Sequence, residues 1–382
     1  MKYLFILLLS FFTNSVLSQV LTINSKSFNQ ERKIRIQLPE NYKESPASYP
    51  VIYLLDGQIL FNFLIGLYEY NGDKYPPAII VGIEQMDRNY ELVEQNKTDD
   101  VNRDMHYHFS EFFLNELIPF IDSVYRTNSL NIFIGHSFGG QFLLNKMVQH
   151  SKINNCICIS PTVWFNDYNI LNEFQNYSPE KNVNYKLYIG YGDNDFPAIQ
   201  KGIVNLSKVI KSKSDRNFVL YSDIYINEDH NSSILIGMRK GLNTMFKDFI
   251  LPENEWDIID KTGDDSVFYK HFEHLSESFN CEILPNEEDI NQLGYFYLER
   301  GRIEEAKKNL LKNVNLHPYS SNAYDSYGEA LVVSGDLKNA LKYFREAYKM
   351  EKEGNNNKFQ LMQYQDHIDA TKKLLKINNT KE

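Results

Sequence analysis

Apolar and polar positions divide this chain into a front part that alternates between strand and helix patterns and a back part that is helical throughout. Residues 21–27 and 32–38 alternate apolar with polar, the period of strands with one wetted face, and predict an antiparallel pair at a sheet edge. Val51-Ile52-Tyr53-Leu54-Leu55 and Ala78-Ile79-Ile80-Val81-Gly82-Ile83 are continuous apolar runs, as strands buried on both faces require. Residues 130–134, 156–159 and 186–191 read the same way, and 217–226 is expected as the last strand. Helical patterns fall between them. One runs through Tyr70; a second carries Phe109, Phe112, Phe113, Leu117, Phe120, Ile121 and Val124 on one stripe; others cover 141–148, 198–210 and 234–250. Residues 87–104 are polar and carry no strand pattern, so a long loop is expected there. Strands alternating with helices over residues 20–250 predict an α/β domain, a mostly parallel sheet flanked by helices. Sites in such sheets lie beyond the carboxyl ends of the strands.

The pattern changes after Leu251. Residues 252–285 are acidic and mixed, a connector with one helix expected around 267–276. Beyond it Gly294, Gly301, Ala306 and Leu310 recur 34 residues later as Gly328, Gly335, Ala340 and Phe344. Tyr297 and Leu331 keep the same register, and Pro318 ends the first unit. A 34-residue period with small residues at helix crossings is the tetratricopeptide signature, although Lys352 stands where the second unit's Pro would fall. Residues 359–375 are expected as a cap helix. The predicted organisation is therefore a leader over 1–18, an α/β domain over 19–251, the connector over 252–285, and an all-α tetratricopeptide-repeat domain over 286–376.

Composition narrows the function classes. A net charge of −10 weighs against nucleic acid or an anionic membrane surface as partner. Lys2 followed by the apolar run 3–12 and Val16-Leu17-Ser18 reads as a signal peptide, so an exported protein, periplasmic or secreted, is expected. The run is too short to span a bilayer comfortably, and no Cys stands at the cleavage point; no stable membrane anchor is expected. Cys156 and Cys158 lie on one face of a strand, as buried small hydrophobes do, and Cys281 is distant, so the fold is not expected to depend on disulfides. The pair His106 and His108 is read as the exposed start of a helix, and no Cys/His cluster has zinc spacing.

The chemistry concentrates at Gly135-His136-Ser137-Phe138-Gly139-Gly140, a G-x-S-x-G pattern with a strand before it and a helix after it. That context is a nucleophile elbow, whose sharp turn needs small neighbours at Gly135 and Gly139 and lifts Ser137 Oγ above the sheet edge. Serine needs a base, itself oriented by a third group. His230 follows the last strand and fits the chain order Ser, acid, His; His136 lies inside the elbow and points the wrong way for a base. Asp195 and Asp193 both follow the strand 187–191; Asp195, deeper in the turn, is the first choice and Asp193 the reserve, while Asp229 is read as capping the next helix. The backbone N–H of Phe138 and one in Asp56-Gly57-Gln58, that of Gln58, are the expected oxyanion donors. Gly57 and Trp164 are expected at the substrate, although Trp164 fits plain core equally well.

These segments, with Ser160-Pro161-Thr162-Val163-Trp164, resemble the esterase D family of α/β-hydrolases, which includes siderophore-ester hydrolases of the enterobactin-esterase type, feruloyl and acetyl-xylan esterases and S-formylglutathione hydrolases. The resemblance covers about residues 20–250. It implies hydrolysis of small-molecule carboxylic esters, siderophore-type or carbohydrate esters among them, by a Ser-His-Asp triad without metal or cofactor; some siderophore-esterase relatives use a Ser-His dyad. The repeats imply a protein partner or self-association. Two other readings stay open: a binding or scaffold protein on a hydrolase fold, and an acyltransferase, since mycolyl-transferring relatives share the fold.

Overall fold

The computed structural model describes residues 18–40, 42–43, 45–72, 74–94, 100–213 and 216–379; the leader expected over 1–18 falls almost wholly outside them. Contacts divide the chain into two units. The first comprises residues 18–40 and 47–284, and the second holds the helices from residue 285 onward.

The first unit is built on strands β1 (Gln19–Ser25), β2 (Gln30–Gln37), β3 (Tyr49–Leu54), β4 (Ile79–Ile83), β5 (Thr127–His136), β6 (Asn155–Ile159), β7 (Tyr185–Gly192) and β8 (Phe218–Tyr225). They form one sheet in the order β1-β2-β4-β3-β5-β6-β7-β8. β1 and β2 pair antiparallel at the edge, as their alternation predicts, and β2 pairs antiparallel with β4. Every pair from β4 through β3, β5, β6 and β7 to β8 is parallel. The continuous apolar runs are the strands buried along their whole length: β3, β4, β6 and β7. Parallel strands need crossover helices on the sheet faces, and these bury both sides of each strand.

The helices of this unit are α1 (Gly57–Tyr70), α2 (Arg88–Leu92), α3 (Asp100–Glu111), α4 (Ile118–Val124), α5 (Phe138–Gln149), α6 (Phe165–Asn176), α7 (Pro197–Ser212), α8 (Ser233–Met245), α9 (Glu253–Thr262) and α10 (Ser266–Phe279), with a π-helical turn, Phe112–Leu117, joining α3 to α4. The aromatic stripe read from 109–124 lies on this last stretch. Phe109 and Phe113 stack on each other and meet Phe142 of α5 at ring distances of 5.2 and 5.6 Å.

Three expectations change here. The stretch 87–104, read as a loop, contains α2 and the start of α3. The span 252–285, read as a connector with one helix, carries two helices that belong to the first unit. Phe268, Phe272, Leu275 and Phe279 form the buried stripe of α10. Phe279 packs on Phe249 and lies under Lys186 Nζ of β7, and Asn184 bonds to Glu277 and Asn280. His106, read as exposed, is buried inside α3, where its Nδ1–H donates to the carbonyl of Glu91; His108 instead meets the Ser27 hydroxyl, so the two imidazoles serve different partners.

The second unit is helical: α11 (Glu287–Glu299), α12 (Ile303–Leu316), α13 (Ser321–Val333), α14 (Leu337–Glu353) and α15 (Lys358–Asn379). The 34-residue period has a steric cause. A Cβ at Gly294 would sit 2.4 Å from Leu310, and one at Gly328 would sit 2.6 Å from Phe344. Each glycine lets the first helix of a hairpin close on the second. Gly301 and Gly335 turn the chain between those helices at φ of 69° and 84°. Leu310, Leu331, Ala340 and Phe344 share one core with Ile368 of α15, the helix expected as the cap.

Candidate active site

The elbow is held from both sides. Ser137 stands between β5 and α5 at φ 57°, ψ −116°, a conformation that costs energy for any residue with a side chain. Its N–H donates to Ile159 O at 2.9 Å, extending the pairing of β5 with β6, and its carbonyl accepts the Gln141 N–H at 3.0 Å, opening α5. Gly135 is needed for close approach: a Cβ there would lie 2.5 Å from the backbone of Gly139. The second tight position is Gly140, not the expected Gly139. A Cβ at Gly140 would lie 3.0 Å from Pro161, whereas at Gly139 the nearest atom would be an ordinary 3.4 Å away on Leu55.

β7 and β8 deliver the next two groups. Asp195 follows β7, and His230 lies in the turn between β8 and α8. The turns are tied together by Asp193 N–H to Tyr225 O and Asn194 N–H to Glu228 O, both 3.0 Å. His230 Nε2 lies 3.0 Å from Ser137 Oγ, and its Nδ1 lies 3.0 Å from Asp195 Oδ1. The carboxylate fixes the proton on Nδ1, leaving Nε2 to accept from the hydroxyl. Asp195 Oδ1 also accepts the Phe196 N–H at 2.7 Å. Burial alone would raise the Asp195 carboxyl, but the hydrogen bonds from His230 and Phe196 outweigh it and hold the group below its ordinary value, so it is ionised at neutral pH. The reserve candidate, Asp193, has an exposed side chain; its carbonyl rather than its carboxylate meets Gln200. Asp229 accepts the N–H groups of Asn231 and Ser232 in the turn that leads into α8.

The expected oxyanion donors come from adjacent strands. Gln58 follows β3 and Phe138 follows β5, which pair in parallel up to Leu54 and Ile134. Both N–H groups lie in the first turn of a helix, which leaves them without an internal acceptor. Gly57, expected at the substrate, is buried, and a Cβ there would lie 2.5 Å from the Gly82 carbonyl carbon; its small size serves the approach of α1 to β4. Trp164 is not core. It is 39 % exposed and packs on Phe165, whose ring meets Phe138 edge-on at 5.6 Å.

Three neighbours complete the surroundings; Phe196 and Arg88 had no readable signal in the sequence, while His136 was read only as unfit to be the base. Phe196, 62 % exposed, covers the His230 ring at 5.4 Å. His136 donates from Nε2 to the His230 carbonyl at 2.9 Å, and burial, then the neighbouring His230, lower its pKa to about 4, so it is neutral. Arg88 bonds to the Asp56 carboxylate and the His136 carbonyl. Among the described residues no group of three or more His, Cys, Asp or Glu side chains is placed to hold a metal ion, and no helix is long and apolar enough to cross a membrane.

Residues 25–220, just over half of the chain, match the family model described as "Putative esterase". The chain belongs to this esterase family. Among curated proteins, the chain is 26% identical over 145 residues to the uncharacterized protein YbbA of Bacillus subtilis (strain 168), a match over 35% of this chain and 58% of that protein, so the chain spans little more than half of its relative's length. Among solved structures, the IroE-like serine hydrolase of Shewanella oneidensis is similar over 78% of this chain and 98% of its own, at a TM-score of 0.64 and 22% identity. The siderophore hydrolase EstB of Aspergillus nidulans is similar over 64% of this chain and 100% of its own, at 0.55 and 18%. The first unit therefore has the fold of these proteins, a mostly parallel eight-stranded sheet between helices, as its sequence predicts.

Proposed function

We propose that the esterase is a serine carboxylic-ester hydrolase in which Ser137 is the nucleophile, His230 the general base and Asp195 the group that orients it. The observation that carries this reading is the unbroken chain from Asp195 Oδ1 to His230 Nδ1 and from His230 Nε2 to Ser137 Oγ, each link 3.0 Å. Ser137 Oγ attacks the ester carbonyl while its proton passes to His230 Nε2. The imidazolium, paired with the Asp195 carboxylate, returns that proton to the leaving alcohol. Water then attacks the acyl-enzyme with the same base and releases the acid. The Phe138 and Gln58 N–H groups hold the negative oxygen of both tetrahedral intermediates.

For substrate, we favour siderophore-type esters over carbohydrate esters. A siderophore hydrolase shares the fold. The exposed rings of Trp164 and Phe196, on the turns that carry the site, suit a ligand with aromatic or other flat faces. The leader expected at the N-terminus makes the esterase an exported protein, and the helical hairpins, read as tetratricopeptide repeats, would serve a protein partner or self-association.

The test is a panel of p-nitrophenyl, feruloyl, acetyl-sugar and catecholate-siderophore esters, run with wild type and Ser137→Ala beside fluorophosphonate labelling. Turnover is expected to fall roughly 10³-fold or more in the folded variant, with labelling abolished. Near wild-type turnover of Ser137→Ala would overturn the serine mechanism. Preference for acetyl-sugars over siderophores would overturn the substrate reading alone.

A further inference from the structure

Two backbone donors on separate strands can share one oxyanion only if something holds them at a fixed spacing. The β3–β5 ladder cannot do it. Its last link is Leu55 N–H to Ile134 O at 3.0 Å, after which one strand turns into α1 and the other into α5. Both exits pass through a residue of positive φ, Asp56 at 59° and Ser137 at 57°. Asp56 stands two residues before Gln58, and His136 stands two residues before Phe138. These are the matching positions on the two diverging strands, each two residues past the Leu54–Ile134 pair.

One guanidinium joins them. Arg88 donates from Nε to Asp56 Oδ1 at 2.7 Å, from Nη2 to Asp56 Oδ2 at 3.0 Å, and from Nη2 to the His136 carbonyl at 2.9 Å. It thus crosslinks the strands just where the backbone ladder stops. Arg88 is itself anchored. It opens α2, whose Glu91 is completely buried and takes both prongs of the buried Arg32 guanidinium at 2.7 and 2.6 Å, together with the N–H groups of Met86 and Asp87 at 3.2 Å. Gln85 adds a second tie, accepting the Asp56 N–H at 2.7 Å and donating its own N–H to the Gln58 side chain at 3.3 Å.

The charge of Arg88 matters as well as its shape. Asp56 is 3 % exposed, and its Oδ2 lies 3.6 Å from where a Cβ on Gly139 would stand, beside the first turn of α5. A bare carboxylate there would oppose negative charge growing on a substrate oxygen held by that same turn.

We propose that Arg88 is a positioning residue for the oxyanion hole, spacing the Gln58 and Phe138 N–H groups by bridging Asp56 to His136 and cancelling the Asp56 charge. The proposal rests on the serine reading of the site and deepens it; Arg88 acts through the backbone and does not touch the ester. Removing it lowers transition-state stabilisation without weakening ground-state binding. In Arg88→Ala, kcat is expected to fall roughly 10²-fold, the scale of one lost oxyanion donor, while KM stays within about threefold. Phosphonylation of Ser137 by a fluorophosphonate should slow in parallel, since its phosphoryl oxygen, which gains negative charge as the serine attacks and fluoride leaves, occupies the same donors. Arg88→Lys keeps the charge but not the fork and should fall in between. Because the uncancelled charge is part of the damage, Asp56→Asn placed on Arg88→Ala should recover about tenfold in kcat. All variants are compared at matched thermal stability. A purely structural role would not produce that recovery.

The outcomes separate cleanly. An unlabelled wild-type Ser137 would overturn the serine reading and the clamp with it. A labelled wild type, with Arg88→Ala labelled equally fast, would overturn the clamp alone. A raised KM with unchanged kcat would assign Arg88 to substrate contact instead, and failure of Asp56→Asn to recover activity would remove the charge argument.

Discussion

Replacing Asp195 by Asn removes a charge and keeps a shape, and the structure says how the amide will sit. Oδ1 accepts two donors, His230 Nδ1–H at 3.0 Å and Phe196 N–H at 2.7 Å. The Asn carbonyl oxygen belongs there, and its NH2 takes the place of Oδ2, which has no hydrogen-bond partner among the described residues. His230 then keeps its proton on Nδ1, so the tautomer needed for catalysis survives. What is lost is the attraction between the carboxylate and the imidazolium formed at the transition state. Charge centres about 4 Å apart at an effective dielectric of ~20 attract by about 4 kcal/mol. At 1.36 kcal/mol per tenfold, kcat should fall about 10³-fold. This is less than the ~10⁴-fold loss that follows when an orienting amide imposes the wrong tautomer. Asp195→Ala should lose more, because it leaves two part-buried N–H donors, those of His230 and Phe196, without their acceptor. Asp193→Asn should stay within about twofold, since that side chain is exposed and points at neither ring nitrogen. The assay is steady-state hydrolysis of p-nitrophenyl acetate at pH 7, with melting temperatures measured alongside. Asp195→Asn within tenfold of wild type would refute the electrostatic argument and leave a Ser-His dyad. A comparable loss in Asp193→Asn would move the acid.

Two further predictions concern stability. Burial holds His106, like His136, neutral down to about pH 4, while unfolded histidine titrates near 6.5. Between those values the unfolded chain binds more protons, so stability is full above about 6.5 and declines on acidification, by at most about 1.4 kcal/mol per pH unit for each histidine. His106→Gln should flatten that slope by up to this amount in urea unfolding between pH 4.5 and 7; an unchanged slope would contradict the burial argument. A stop codon after Leu251 should cost the catalytic unit stability and solubility, because it strips α9 and α10 and uncovers the Phe249 and Lys186 contacts with Phe279. A stop after Leu284 should leave a folded unit whose Ser137 still labels, and loss of activity there in a soluble, folded product would show that residues beyond 284 complete the site.

What the sequence determined by itself is what is encoded over short spans. Alternation and continuous apolar runs identified the edge pair and the buried parallel strands, because exposure of one or both strand faces dictates them residue by residue. The elbow was legible because Gly135 meets its steric demand locally, against the backbone of Gly139 four residues on; the tight approach at Gly140 depends on Pro161 and was not. The 34-residue period was legible because each glycine answers to a bulky residue sixteen positions later, Leu310 for Gly294 and Phe344 for Gly328. Tertiary structure decided whatever depends on which strands lie side by side. Asp193 and Asp195 share one turn, and only the bonds between the turns after β7 and β8 turn one carboxyl toward His230 and the other to water. A helix around 267–276 with apolar positions at Val267, Phe268 and Phe272 was visible in the sequence and was expected to pack under the first repeat; only the structure shows its stripe packing into the first unit. Arg88 was invisible within a patternless polar stretch. Its partners lie 32 and 48 residues away, on strands that become neighbours only because β3 inserts between β4 and β5. A guanidinium that bridges two strand ends has no local periodicity to betray it; its meaning comes from the order of strands in the sheet.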